Sequence, residues 1–60
     1  MLNLLSLEES AKELKISIHT IRAWTYQKRI PIVKLGRRVL VKREDLEEFV
    51  NKNVVDAKGD

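Results

Sequence analysis

Cysteine is absent from this sequence and histidine occurs once, so disulfide bonds and cysteine- or histidine-rich metal sites are excluded. We expect no metal ion and no cofactor. The two glycines are too few for a glycine-rich phosphate-binding loop. The carboxylates show no pairing with serine or histidine for which a catalytic pocket is expected. The sequence therefore argues against an enzyme.

Long hydrophobic runs are also missing, since no apolar stretch approaches the roughly 20 residues that a membrane-spanning helix needs. The first seven residues are too short and too polar for a signal peptide. We expect no contact with membranes and a cytoplasmic location. Sixty residues form one small domain, whose apolar core is expected to contribute about 3–5 kcal/mol of stability.

Acidic residues are lacking from the whole central segment of the chain. Between Lys15 and Arg43 there are nine basic residues and no Asp or Glu: Lys15, Arg22, Lys28, Arg29, Lys34, Arg37, Arg38, Lys42 and Arg43. The nine acidic residues lie on either side of this segment, so the net charge of +3 conceals a strong separation. Such a separation is typical of a protein that turns one face towards a polyanion.

Two helices are predicted before this segment and at its start. Ser6 and Glu9 have the spacing of a capping box, and a helical stripe of apolar residues follows over Leu7–Leu14. Leu5 precedes the cap, where it forms either a hydrophobic staple or a short strand. Ser17 is a second N-cap and begins a helix over residues 18–27. Three residues separate the helices, which predicts a helix-turn-helix crossing.

A β-hairpin is predicted after the second helix. Pro31 excludes further helix and holds the preceding residue in an extended conformation. β-favouring residues then flank Gly36 and Arg37, and glycine supplies the positive φ that a tight hairpin turn needs.

A third helix is predicted to begin near Arg43 or Glu44. Its apolar face, formed by Leu46, Phe49 and Val50, is expected to pack on the first helix. We expect residues 1–53 to form the domain and residues 54–60 to form a flexible tail.

The order of elements predicts an α+β fold, a small winged helix-turn-helix with three helices and a two-stranded β-hairpin wing between helices two and three. The second helix has a suitable length for the major groove of duplex DNA. The basic wing tip is suited to phosphates or to the adjacent minor groove, where negative potential is concentrated.

The chain resembles the excisionase-type helix-turn-helix family, whose relatives are the MerR winged-helix domains. The resemblance covers Leu5 to Val50. Its landmarks, common singly but specific as an ordered set, are Leu5-Ser6, Glu8-Glu9, Ala11, Ser17, Thr20-Ile21, Ile30-Pro31, Leu35-Gly36-Arg37-Arg38 and Arg43-Glu44-Asp45-Leu46. One departure is Lys28, which stands where family members often have the glycine of a left-handed turn before the wing.

The resemblance implies a set of DNA-binding positions on helix two and on the wing. These positions are Ser17, His19, Thr20, Arg22, Ala23, Tyr26, Lys34, Arg37 and Arg38. Several have structural alternatives: Ser17 as a helix cap, Thr20 as the partner of that cap, His19 as an exposed helix residue, Tyr26 packed on the wing, and the two arginines as solvated turn residues. Trp24 is expected to belong to the core rather than to stack on bases.

The family further implies double-stranded DNA as the partner and the role of a recombination directionality factor of a mobile element, acting with a tyrosine recombinase (integrase). Two alternatives remain open: a small transcriptional regulator of phage, plasmid or transposon genes, and a winged-helix module that binds proteins. We expect a monomer in solution that binds DNA cooperatively at neighbouring sites, because no helix is left over for a dimer interface.

Overall fold

The computed structural model describes residues 2–56 of the chain. Six elements follow one another in the order β1 (Leu4–Ser6), α1 (Leu7–Leu14), α2 (Ile18–Tyr26), β2 (Val33–Leu35), β3 (Arg38–Lys42) and α3 (Arg43–Lys52). The predicted α+β fold and the order of its helices and hairpin are confirmed. The segment around Leu5 forms a strand, which decides between the two alternatives expected there.

The start of α1 is held by the predicted capping box. The Ser6 amide donates to Glu9 Oε1 at 2.8 Å, and the Glu9 amide donates to Ser6 Oγ at 3.0 Å. One turn later the fully buried hydroxyl of Ser10 donates to the Ser6 carbonyl oxygen at 2.9 Å. Because each of these polar groups has a partner, α1 can turn Ser10 and Ala11 towards the core at little cost.

Both helices of the helix-turn-helix are followed within two residues by a lysine with left-handed backbone, Lys15 at φ 59° after α1 and Lys28 at φ 62° after α2. After α2, the Lys28 amide donates to the Thr25 carbonyl and the Arg29 amide donates to the Trp24 carbonyl. This pair of bonds is a Schellman motif, which usually has glycine at the left-handed position. The departure from glycine at Lys28 therefore leaves the left-handed turn intact, and lysine itself adopts the strained conformation.

The sheet has three antiparallel strands in the order β1-β3-β2. The predicted two-stranded hairpin is present, with Leu35 opposite Arg38, and β1 extends it by pairing Leu5 with Val41. In the turn, Gly36 has φ 62° whereas Arg37 is not among the described residues with positive φ. A positive φ at the first central residue alone is typical of a type II′ turn.

The core lies between α1, α2 and one face of the sheet. Its buried side chains come from β1, all three helices, β3 and the connection after α2: Leu5, Ala11, Ile21, Ile30, Val41 and Leu46. Ile21 and Val41 are completely buried, and Ile30 is 1% exposed although no regular element contains it. Ile30, the residue before Pro31, thus anchors the connection between α2 and the hairpin.

The packing of α3 differs in part from the prediction. Leu46 is buried, but Phe49 lies against Trp24 of α2, with ring centroids 5.0 Å apart, and Val50 is 41% exposed. Leu46 and Val50 border one depression together with Glu13 and Leu14 of α1, as expected, and the contact of Phe49 with α2 is additional. Helical periodicity identifies the apolar face of α3 but not the element against which each residue of that face packs. The contact between Phe49 and the indole ring of Trp24 is therefore seen only in the structure.

Residues 54–56 form no regular element and are exposed. Residues 57–60 of the predicted tail lie outside the described residues, so its flexibility stays a prediction. None of the helices in residues 2–56 has the length and hydrophobicity required to cross a bilayer.

Candidate nucleic-acid interface

The exposed side of α2 carries four of the predicted DNA-binding residues. His19, Arg22, Ala23 and Tyr26 are exposed, and Tyr26 retains 88% of its accessible surface. They are exposed because Ile21, on the opposite side of the helix, is completely buried in the core. The structure thus places these residues together on a surface that a ligand can approach.

These four side chains line one wide, open groove between α2 and the hairpin, which we name the α2–wing groove. Its lining residues are Leu7, His19, Arg22, Ala23, Thr25, Tyr26, Lys28, Ile32 and Val39. No carboxylate is among them, whereas Arg22 and Lys28 contribute two cations. Arg22 lies in the same groove as the other three.

Ser17 and Thr20 stand apart from this groove, at the N-terminus of α2. Ser17 Oγ accepts the Thr20 amide at 3.1 Å and lies 3.1 Å from Thr20 Oγ1. Ser17 is exposed, whereas Thr20 is half-buried. Both side chains therefore serve the helix cap, which is the structural alternative considered for each, and their contact with DNA stays a prediction.

The three predicted wing residues are exposed, but they do not share one face of the sheet. Lys34 pairs with Val39, and Val39 lines the α2–wing groove, so Lys34 lies on the groove side of the hairpin. Arg38, the next residue before Val39, lies on the opposite side, and Arg37 occupies the turn. Lys34 and Arg37 are therefore better placed than Arg38 to reach a duplex seated against α2.

Two of the nine central basic residues are engaged elsewhere. Arg43 donates both guanidinium nitrogens to Glu13, at 2.9 Å and 3.1 Å, and so joins α3 to α1. This bidentate bond holds the pKa of Glu13 below its ordinary value. The Arg29 guanidinium lies 5.8 Å from the centre of the Trp24 ring, a cation–π contact. The basic surface is accordingly narrower than the charge pattern alone indicates.

Sequence reasoning missed five residues that line the groove, namely Leu7, Thr25, Lys28, Ile32 and Val39. Lys28 could have been identified from the sequence, because a lysine replaces glycine at a position where the backbone conformation is unfavourable for any other residue. The three apolar residues had no such signal, since each looks like an ordinary member of a hydrophobic stripe. Within residues 2–56 no cluster of His, Asp or Glu side chains has an arrangement suited to a metal ion.

A model of a protein family described as a helix-turn-helix domain matches residues 4–54 of the chain. The matched range includes every helix and strand of the fold and all residues of the α2–wing groove. A search of curated proteins found no match.

Proposed function

The chain belongs to this family of helix-turn-helix domains, which bind DNA, and from that premise we propose that it recognises a specific sequence in double-stranded DNA. In this proposal α2 lies in the major groove and the hairpin acts as a wing. The observation that supports it most is the α2–wing groove, which joins exposed side chains of α2 to the hairpin without any carboxylate.

The dimensions of α2 suit this role. Its nine residues make a helix about 13 Å long, and the major groove, about 12 Å wide, admits a helix. His19, Ala23 and Tyr26 follow one another at helical spacing along the exposed side, so all three face the base edges together. Arg22 beside them has the fork of donors that a guanine edge or a phosphate accepts.

The wing supplies contacts that do not depend on sequence. Lys34 on its groove side and Arg37 in its turn approach the phosphates that flank the major groove, and Arg38 reaches around the hairpin edge. With Arg22 and Lys28 these residues provide about 4–6 phosphate contacts, which makes binding strongly dependent on salt and only moderately tight for one copy.

Substitutions distinguish the role of the wing from that of α2. Replacing Arg37 and Arg38 together with alanine should weaken binding to every duplex and reduce the slope of log K against log salt by about one or two. Replacing His19 or Thr20 with alanine should change the preferred sequence, by about 1–3 kcal/mol where the side chain contacts a base edge.

The experiment is a selection of duplexes from a random library, followed by fluorescence anisotropy titrations with the selected duplex and with an unselected one. We expect the protein to prefer the selected duplex. His19→Ala should alter this preference, and the arginine substitutions should leave it in place. If both kinds of variant weaken all duplexes equally, α2 does not contact the bases.

We further propose that the biological role is that of an excisionase-like recombination directionality factor, which places DNA sites for a tyrosine recombinase. The resemblance over Leu5 to Val50 supports this role. An excision assay with a tyrosine recombinase encoded beside this chain tests it. Excision that proceeds equally well without the chain would favour the transcriptional regulator instead.

A further inference from the structure

The α2–wing groove is apolar over much of its surface, although the ligand proposed for it is a polyanion. Leu7, Ala23, Ile32 and Val39 line the groove with hydrocarbon side chains only. Ile32 is 40% exposed, and Val39 lies on the same side of β3 as the buried Val41, so the groove continues the apolar core to the surface. A cleft that held only phosphates would be lined by hydrogen-bond donors instead.

Thr25 adds less hydrogen-bonding capacity to the groove than its hydroxyl suggests. Thr25 Oγ1 donates to the Arg22 carbonyl oxygen at 2.9 Å, so its hydrogen is already engaged within α2. The remaining donors among the lining residues belong to His19, Arg22, Tyr26 and Lys28. These four side chains can bind phosphates and polar base edges, but the hydrocarbon surface beside them needs an apolar group of the ligand.

Ala23 places hydrocarbon surface on the side of α2 that faces the bases in the proposed complex. It follows His19 by four residues and precedes Tyr26 by three, so the three residues lie on one side of the helix. Ala23 is exposed and carries a methyl group in place of a donor or acceptor. Ile32 lines the same groove from the segment that leads into β2. The middle of the surface that faces the bases is therefore apolar.

The major groove of DNA presents one apolar group on its base edges, the 5-methyl group of thymine. The other apolar groups of DNA are the deoxyribose carbons, which occur at every nucleotide and lie in the backbone with the phosphates. Because Ala23 belongs to the side of α2 that faces the bases, the methyl group matches it better.

We propose that Ala23 and Ile32 form a site for the 5-methyl group of thymine, and that the chain selects duplexes with thymine opposite this site. This inference rests on the proposed DNA binding and names the base that the apolar part of the α2–wing groove recognises.

Deoxyuridine is the most specific probe of this site, because it pairs as thymine does and lacks only the 5-methyl group. The duplex selected from the random library is resynthesised with each thymine replaced singly by deoxyuridine, and each version is titrated by fluorescence anisotropy. We expect the affinity to fall about fourfold at one or two positions, which corresponds to one buried methyl-sized group, and to stay unchanged at the others. When a cytosine–guanine pair stands at a sensitive position, 5-methylcytosine should likewise bind about fourfold more tightly than cytosine.

Variants of the protein assign this effect to the two residues. Ala23→Ser and Ile32→Thr each replace hydrocarbon with a hydroxyl at an exposed position, so both variants should fold. Each should reduce the deoxyuridine effect from about fourfold to about twofold, and the double variant A23S/I32T should abolish it. Leu35→Thr makes the same kind of change at an exposed residue of β2 that is not among the groove-lining residues, and it should leave the effect at full size.

Three results would overturn the inference while leaving the proposed DNA binding in place. They are a selected site without thymine, deoxyuridine that weakens binding at no position, and a deoxyuridine effect that remains at full size in the double variant. The second result would assign the apolar surface of the groove to the deoxyribose rings. A protein that binds all duplexes equally, or none, would instead refute the proposed function itself.

Discussion

Replacing Lys28 with glycine should stabilise the protein and weaken its binding to DNA. Lys28 has φ 62°, in the left-handed region that costs an L-residue about 1–2 kcal/mol. Glycine adopts this region freely but loses about 0.5–1 kcal/mol more conformational entropy on folding. The difference is a gain of about 0.5–1 kcal/mol, which corresponds to a rise in Tm of about 2–8 °C for a domain of this size.

The loss of affinity has a separate origin in the side chain. Lys28 lines the α2–wing groove, so its removal eliminates one cation from the proposed interface. The slope of log K against log salt should fall by about one. Lys15→Gly is the matched control, because Lys15 has φ 59° but is not among the residues that line the groove.

Thermal and urea unfolding, followed by the fluorescence of Trp24, measure the stability of the two variants, and anisotropy titrations at several salt concentrations measure their binding. Both variants should be stabilised, and Lys28→Gly should lose more affinity. A destabilised Lys28→Gly would refute the backbone argument. Equal losses of affinity in the two variants would show that total charge matters rather than position in the groove.

Three further predictions concern the stability of the fold. Ser6→Ala removes the capping box of α1 and should cost about 1 kcal/mol in urea unfolding. Ile21→Ala leaves a cavity at a completely buried position and should cost about 2–5 kcal/mol, enough to unfold most of the protein as seen by circular dichroism. Because Arg43 lowers the pKa of Glu13, the stability from this pair is present above the ordinary value of 4.5 and is lost as the pH falls through the lowered pKa. Glu13→Gln should therefore show a smaller loss of stability below pH 4.5, which urea midpoints at several pH values would reveal.

Local signals in the sequence determine much of this fold. The spacing of Ser6 and Glu9 predicts the start of α1, and Ser17 predicts the start of α2, because caps act within a few residues. Pro31 and Gly36 likewise act on their immediate neighbours, so they predict where the hairpin begins and where it turns. Features that depend on distant parts of the chain were harder to predict: the pairing of β1 with β3, and the contact of Phe49 with Trp24.

The candidate site also combines features that local sequence signals predict with features that depend on distant parts of the chain. Helical periodicity predicts that His19, Ala23 and Tyr26 are exposed, and they are. It does not predict that Thr20 is half-buried at the cap, nor that the three-dimensional arrangement brings Lys28 beside them. The charge pattern along the sequence does not show which charged residues meet in space. The bidentate contact of Arg43 with Glu13 is seen only in the structure, where α1 and α3 lie together.

An NMR titration of the protein with a short duplex at low salt tests the proposed DNA interface residue by residue. We predict chemical-shift changes for the amides of His19, Arg22, Ala23 and Tyr26 and for the turn at Gly36 and Arg37, with the exposed side of α3 unaffected. If the amides of α2 and of the hairpin turn remain unchanged while the duplex is in excess, this surface does not bind DNA.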